Sequence, residues 1–453
     1  MGLGSTGLLG PDEPRYASIG RTMAATGDLV TPKLDGEGWF EKPPLLYWTV
    51  ALGTRFGLPG EWAPRLPIAL MSLSFLIFYF GVLAREFSHH VAMFATAILG
   101  TCAGWLAYTV PAVPDLPMAA TLGVAMLLTL YDKRSYSGWV AGAFLGLSML
   151  AKGFVPITLF APIWLLAARG KRVALIAGTI LVAAPWYILC SIANGKIFWT
   201  EFVWKHHIQR FFSSQLEHVQ PLWFYVPVII LGMFPWTPLM ALLTRGKTYE
   251  DSRVRGLAWW LLFGFAMFSA SKGKLPGYLL PLLPFLAIVL AVGLTQTIHK
   301  TWWLVACALT LVILPPAAGV LPEALQIGLT RSTIPWRGTL LWLPPILATA
   351  IIVWRLAKKG MVERAALACA LATALGAAIA KLWIFPALDD RVSVRAFWRA
   401  HPTEIAQACL DETLRNDWKR YGLNYYAEKP IPFCKDAPSA THITTSAGKL
   451  AIQ

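Results

Sequence analysis

Twelve apolar segments divide the chain, at approximately 64–84, 91–110, 116–131, 138–152, 154–168, 173–190, 221–243, 257–270, 277–292, 302–319, 338–355 and 364–386. Sustained apolar runs of this length read as helices. A helix needs about 20 such residues to cross a hydrocarbon core of about 30 Å, and the shorter segments need tilt or neighbours. The pattern predicts an all-α polytopic membrane protein with a transmembrane domain of about twelve helices over 63–386. Gly138, Gly142 and Gly146, spaced by four, predict a helix face that another helix approaches closely. Residues 12–62 alternate between polar and aromatic. Asp12 reads as an N-cap, with Pro14 in the first turn. Tyr16, Ile19 and Met23 recur at near-helical spacing, and Gly27 ends the run, predicting a short amphipathic helix on the membrane surface. Pro43-Pro44 opens a second short helix through Leu52. Residues 1–62 form a juxtamembrane segment, and the polar residues 387–453 a small extramembrane C-terminal domain.

Composition sharpens this picture. Of 453 residues, 56% are hydrophobic and only 14% charged. A soluble domain carries about 25% charged residues, so soluble, disordered and coiled-coil classes are excluded. The 21 Trp suit membrane interfaces. The net charge of +15 reads as positive-inside loops plus attraction for anionic lipid or phosphate, not as nucleic-acid binding. Alternate loops are basic: Arg85; Lys133 and Arg134; Arg169 to Arg172; Arg245 to Arg255; Lys300; Arg355 to Arg364. These are expected in the cytoplasm. Residues 12–62, 111–117, 191–220, 271–276, 320–337 and the tail are then outside. An external segment at 12–62 is expected to follow a span, so a further helix is expected ahead of it. Cys102, Cys190, Cys307 and Cys369 lie in apolar runs. Cys409 and Cys434 lie in the external tail, an oxidising setting, and are expected to form a disulfide.

The outer loops hold groups that a membrane scaffold does not need. They are Asp12-Glu13-Pro14-Arg15-Tyr16, Phe40-Glu41-Lys42-Pro43-Pro44, Asp115, His206 to Phe211, and Ser271 to Tyr278; Lys152 stands between two apolar segments. A cation at membrane depth costs at least roughly 2.5–3.5 kcal/mol, so it faces a partner or a wet cavity. Gathered cations make an anion site, and neighbouring carboxylates can bind a sugar, activate a hydroxyl or hold a metal. Each group also has an ordinary reading. Asp12, Glu13 and Arg15 can be a solvated helix start, Asp115 turn chemistry, His206 and His207 interfacial polar residues, and Lys272 and Lys274 headgroup anchors. The residues by themselves leave the function open.

In order along the chain, Asp12-Glu13-x-Arg15-Tyr16-Ala17, Gly27-Asp28, Phe40-Glu41-Lys42-Pro43-Pro44 and Tyr47-Trp48 resemble the opening of the bacterial aminoarabinose transferases. These are GT-C glycosyltransferases related to protein O-mannosyltransferases. The resemblance continues at His207-Ile208-Gln209-Arg210-Phe211, Pro221 to Pro227, Pro235-Trp236, Ser271-Lys272-Gly273-Lys274-Leu275-Pro276-x-Tyr278 and Asp390-Arg391-Val392. A shorter echo follows at Tyr421-Gly422-Leu423-Asn424-Tyr425. It implies a GT-C fold and transfer of a sugar, 4-amino-4-deoxy-L-arabinose in the named family, from undecaprenyl phosphate to a periplasmic-face acceptor such as a lipid A phosphate.

By matched position, Asp12 and Glu41 are the expected catalytic residues. Arg15, Lys42, Lys152, His207, Arg210, Lys272, Lys274 and Tyr278 are expected around the donor or its phosphate, with Asp115 a further candidate. A divalent metal such as zinc bridging Glu41 and His207 is the only cofactor the residues suggest. The tail is short for the family, and His206 stands where the family commonly has Glu; both bear on the acceptor. The expected setting is the bacterial inner membrane, with the site on the periplasmic face of a monomer. The alternatives are a transporter or flippase for an anionic lipid-linked substrate, and O-mannosyltransferase-like transfer to a protein hydroxyl.

Overall fold

In the computed structural model the described residues are 2–209, 219–327, 331–334, 336–439, 441–446 and 449–453. Helix α1 spans Asp12–Thr26. Asp12 and Glu13 fill its first turn, where negative charge complements the helix dipole. Pro11, not Asp12, takes the N-cap position, and no side chain caps the helix. The Asp12 carboxylate turns instead to Arg15, one helical turn on. Gly27 closes α1 in the left-handed conformation (φ 75°), its N–H bonded to Met23 O at 3.0 Å. A two-stranded hairpin follows, β1 (Lys33–Leu34) with β2 (Glu37–Gly38). Helix α2, Leu45–Arg55, then packs on α1 where Gly20 meets Val50.

The apolar segments fold as α3 (Trp62–Glu86), α4 (His89–Thr101), α5 (Ala103–Leu106), α6 (Asp115–Tyr131), α7 (Ser137–Lys152), α8 (Val155–Leu166), α9 (Arg169–Trp199) and later helices. Among the described residues, six helical stretches are long and apolar enough to cross a membrane: Trp62–Glu86, Arg169–His206, Pro276–Gln296, Lys300–Leu321, Gly338–Lys358 and Val362–Leu382. A further pair, Leu222–Gly232 and Thr237–Thr244, is bent by 117° with Pro235 in the bend. Not every apolar segment is one long helix. The segment 91–110 breaks at Cys102, whose backbone is extended, and α6 and α8 have 17 and 12 residues. The external segment expected over 191–220 is helical in its first half. Helix α9 runs on to Trp199, interrupted at Gly195 (φ 56°), and continues as wide π-type turns over Thr200–Gln209.

The Leu283–Gln296 helix is apolar all round and buried over Leu283–Leu294, which makes it the axis of the bundle. By contrast Ile176, Ile180, Leu181, Leu371 and Leu375 are exposed. A surface of this kind is stable against lipid, and the chain is a multi-pass membrane protein. The glycine stripe does what its spacing predicts. A methyl group on Gly142 would come 2.3 Å from Leu175 O, so α7 and α9 pack backbone to backbone there. Thr179 Oγ1 reinforces the contact, donating to Gly142 O at 3.1 Å.

Residues 394–453 form a small α/β unit over a core of Val394, Ile405, Leu410, Leu414, Leu423, Ile431 and Ile443. Its sheet has the order β3-β4-β5, with β3 (Cys409–Leu410) parallel to β4 (His442–Ser446) and β5 (Lys449–Ile452) antiparallel. The expected disulfide joins Cys409 to Cys434, with Cα atoms 4.8 Å apart. The expected boundary at 387 falls inside a helix, Phe385–Val392, that leads from the bundle into this unit.

Candidate active site

Adjacent carboxylates at the start of α1 face opposite ways. Glu13 is buried and accepts from Arg65 Nε (2.9 Å), Arg65 Nη2 (2.6 Å), Leu9 N (2.7 Å) and Ala112 N (2.7 Å). Arg65 gives its remaining donors to the carbonyls of Leu3, Thr6 and Gly7 at 2.7–2.8 Å. A buried ion pair is tenable when its remaining hydrogen-bonding positions are filled in this way. The pair fixes three things together: the Gly-rich opening, α1, and the loop that leads to α6. A second clamp holds the same opening. Asp389 Oδ1 accepts from Gly7 N (2.6 Å), while Arg395 binds Asp389 (2.6 Å), Glu61 (3.2 Å) and the carbonyls of Gly4 and Ser5.

Asp12 is on the open side, its side chain 46% exposed, paired with Arg15. The Arg15 guanidinium lies between two rings, 5.4 Å from the centroid of Trp39 and 5.2 Å from that of Tyr421. Its Nη1 is 3.9 Å from Glu41 Oε2, and Lys42 Nζ binds Glu41 Oε1 at 2.8 Å. Burial pushes the Glu41 carboxyl up. Lys42, Arg15 and His206 outweigh it and hold the group well below the usual carboxylate range. Two donors beside this cluster have no partner among the described residues, Trp39 Nε1 and the fully buried Tyr47 hydroxyl. Burial, then Glu41 and Asp12, raise the Tyr47 phenol, so it stays protonated as a donor.

Ala112, tied to Glu13, lies in the loop between Tyr108 and Asp115. Asp115 opens α6 and Lys152 closes α7; Nζ and Oδ1 are 2.5 Å apart. Lys152 Nζ also lies 4.5 Å from the Tyr278 ring centroid. The turn carrying Tyr278 fits because residue 277 is glycine. A Cβ there would come 2.5 Å from both Asp115 Oδ1 and the Tyr108 hydroxyl. The same contact places the Tyr108 hydroxyl beside the Asp115 carboxylate.

Of the residues expected from sequence, Asp12, Arg15, Glu41 and Lys42 form one cluster, and Asp115, Lys152 and Tyr278 another. Lys272 is exposed. Lys274 is buried and donates to Gln220 O (2.9 Å) and Ser271 O, pinning the chain at 220 to the 271–274 turn. The side chain of His207, and Arg210 entirely, lie outside the described residues. The metal pairing expected for Glu41 and His207 therefore rests on Glu41, whose carboxylate already faces Lys42 and Arg15. Two cations at that carboxylate do not suit a divalent ion. Among the described residues one other group has metal-ligand spacing, Cys409, Cys434 and His442, but its sulfurs are joined to each other.

Sequence reasoning missed Arg65, Tyr108 and Tyr421, and gave Glu13 no part separate from Asp12. It also gave the Gly-rich opening no role. The signal for Tyr421 was present in the Tyr421-Gly422-Leu423-Asn424-Tyr425 echo. Tyr421 stacks on Arg15, and Asn424 Nδ2 donates to Asp35 (3.0 Å). The Tyr425 ring lies 4.4 Å from the Arg21 guanidinium, and its hydroxyl donates to Gly60 O (2.7 Å).

The chain is similar to several known proteins. Residues 41–193, about a third of the chain, match the family described as dolichyl-phosphate-mannose-protein mannosyltransferase. The chain is 33% identical over 319 residues to the undecaprenyl phosphate-α-4-amino-4-deoxy-L-arabinose arabinosyl transferase of Pseudomonas aeruginosa strain LESB58, covering 66% of this chain and 57% of that one. It is 32% identical over 306 residues to the protein of that name from Edwardsiella ictaluri, covering 62% and 54%. It thus spans little more than half the length of these curated relatives. In structure it is similar to ArnT from Cupriavidus metallidurans, crystallised with undecaprenyl phosphate. The TM-score is 0.76 at 25% identity, over 95% of this chain and 82% of that one.

Proposed function

We propose that this chain, an aminoarabinose-transferase-like protein with the GT-C fold, is a membrane glycosyltransferase that takes its sugar from undecaprenyl phosphate. The observation that carries the reading is a pair of carboxylate–cation clusters at the end of an apolar bundle, tied to each other by the hydrogen bond from Ala112 N to Glu13. One is Asp12, Arg15, Glu41 and Lys42; the other is Asp115, Lys152 and Tyr278. In the reaction an acceptor oxygen attacks the anomeric carbon of the donor. The carbon–oxygen bond to the carrier phosphate breaks, and the phosphate leaves with the electron pair. Lys42 and Lys152 are placed to take up the charge that develops on it. The Trp39 and Tyr47 donors suit acceptor atoms of the bound sugar. A phosphate oxygen attacks as an anion and needs no base. A hydroxyl acceptor instead passes its proton to Asp12, the more exposed carboxylate.

We assign the donor as 4-amino-4-deoxy-L-arabinose on undecaprenyl phosphate, the donor named for the relatives, and the acceptor as a lipid phosphate such as that of lipid A. The site is assigned to the periplasmic face of the inner membrane, because the opposite set of loops is the basic one. Transfer to a protein hydroxyl is the second reading, favoured by the mannosyltransferase match over 41–193. Incubation of the purified chain with labelled donor, and with lipid A or an acceptor polypeptide, separates the two. Label on lipid A supports the first reading, and label on the polypeptide the second. Label on neither contradicts both.

A further inference from the structure

We infer that the C-terminal domain supplies a positioning residue to the reactive cluster: Tyr421 fixes Arg15, and through Arg15 it fixes Asp12. Arg15 has a long, rotamer-rich side chain, and its ion pair with Asp12 is the contact that orients the exposed carboxylate. Two ring faces confine its guanidinium, leaving the side chain 16% exposed. Trp39 comes from the loop that carries Glu41. Tyr421 lies 406 positions beyond Arg15, on the Lys419–Tyr426 helix. That ring is itself held. Arg420 stacks on it at 4.6 Å and donates to its hydroxyl at 3.0 Å.

The Lys419–Tyr426 helix packs on α1, with Tyr421 at Arg15 and Tyr425 at Arg21. Arg21 Nη1 donates to Tyr425 O at 2.8 Å, and Leu8, Ala17 and Tyr425 form a buried cluster beneath. The helix is therefore docked at several points besides Tyr421, so replacing one ring leaves the docking in place. The ring face, not the hydroxyl, touches Arg15. A phenylalanine should serve as well as tyrosine, and an aliphatic side chain of similar bulk should not.

Two readouts on the full chain in detergent or nanodiscs test this, with Tyr421→Leu and Tyr421→Phe. The first is sugar transfer from undecaprenyl phosphate-linked aminoarabinose to lipid A, an arm that rests on the transferase reading above. Tyr421→Leu should lower kcat about tenfold with KM changed less than about twofold, the size expected for loss of one partly desolvated cation–π contact. Tyr421→Phe should stay near wild type. The second readout needs no turnover: phenylglyoxal modification of Arg15, quantified by peptide mass spectrometry. Wild type and Tyr421→Phe should be protected alike, and Tyr421→Leu should react several-fold faster. Unchanged Arg15 reactivity in Tyr421→Leu overturns the proposal, as does a Tyr421→Phe variant that falls as far as Tyr421→Leu. If wild type transfers no sugar, the transferase reading fails, and the Arg15 reactivity alone decides this one.

Discussion

Asp12–Arg15 and Glu13–Arg65 begin at neighbouring residues and have little else in common. The Glu13–Arg65 pair is sealed from solvent, and its hydrogen bonds go to backbone groups of two separate stretches of chain, the Gly-rich opening and the loop at Ala112. The Asp12–Arg15 pair is partly open and is flanked by rings and by a second ion pair. Burial with full satisfaction makes a structural clamp. Partial exposure leaves charge that solvent and small molecules can reach. The difference teaches that adjacent residues of an acidic motif can be set apart by burial alone, one holding the frame and one left open at its edge.

Removing each pair should break different things. The largest effect is expected from Asp12→Asn, a fall in kcat/KM of about 10²–10⁴-fold with the thermal midpoint unchanged. Steady-state kinetics beside a melting curve checks both halves. A folded variant with near-normal turnover would remove Asp12 from the chemistry. On the clamp side, Arg65→Ala strands a buried carboxylate and should cost about 3–5 kcal/mol of stability. Replacing both partners, as Glu13→Leu with Arg65→Met, should recover much of that in denaturant melts. Equal losses in the single and double variants would mean that the pair is not coupled.

A smaller effect is expected at the tail, which contributes to both regions through Tyr421 and Arg395. Cys409→Ser with Cys434→Ser opens the loop closed by the disulfide and should cost roughly 2–4 kcal/mol, seen first as faster amide exchange across β3 and β4. Unaltered exchange there would show that the sheet stands without the cross-link.

The smallest effect concerns acid. The Glu41 carboxyl titrates below its unfolded value. Its contribution is therefore fully present above the ordinary carboxylate range and lost only as pH falls through the lowered value. The stability difference between wild type and Glu41→Gln should not shrink from pH 8 down to about 5. A difference that shrinks within that window would mean that Lys42 and Arg15 do not hold the charge.

Much of the scaffold was legible because it is written locally. Apolar runs give helices, Gly138, Gly142 and Gly146 give the close α7–α9 crossing, and two cysteines in a polar tail give the disulfide. Asp12, Glu41, Lys42, Asp115 and Lys152 stood out because charge is scarce in an apolar chain. What could not be read was pairing across distance. Arg65 sits 52 positions from Glu13 and looks like an ordinary charge at a helix start. Tyr421 carries no charge to mark it, and its partner Arg15 lies at the other end of the chain. Asp12 misled in the other direction. Its sequence position suits an N-cap, but an ion pair with Arg15 outcompetes the backbone for its carboxylate.

The most direct test of the account is transfer between purified lipids in detergent, where no membrane gradient exists. With labelled aminoarabinose on undecaprenyl phosphate and with lipid A, the purified chain should yield sugar-modified lipid A and release undecaprenyl phosphate in equal amount. A chain that binds the donor yet forms no new glycosidic product there, while moving the labelled lipid between the leaflets of intact vesicles, would be a flippase, and the transferase account would be wrong.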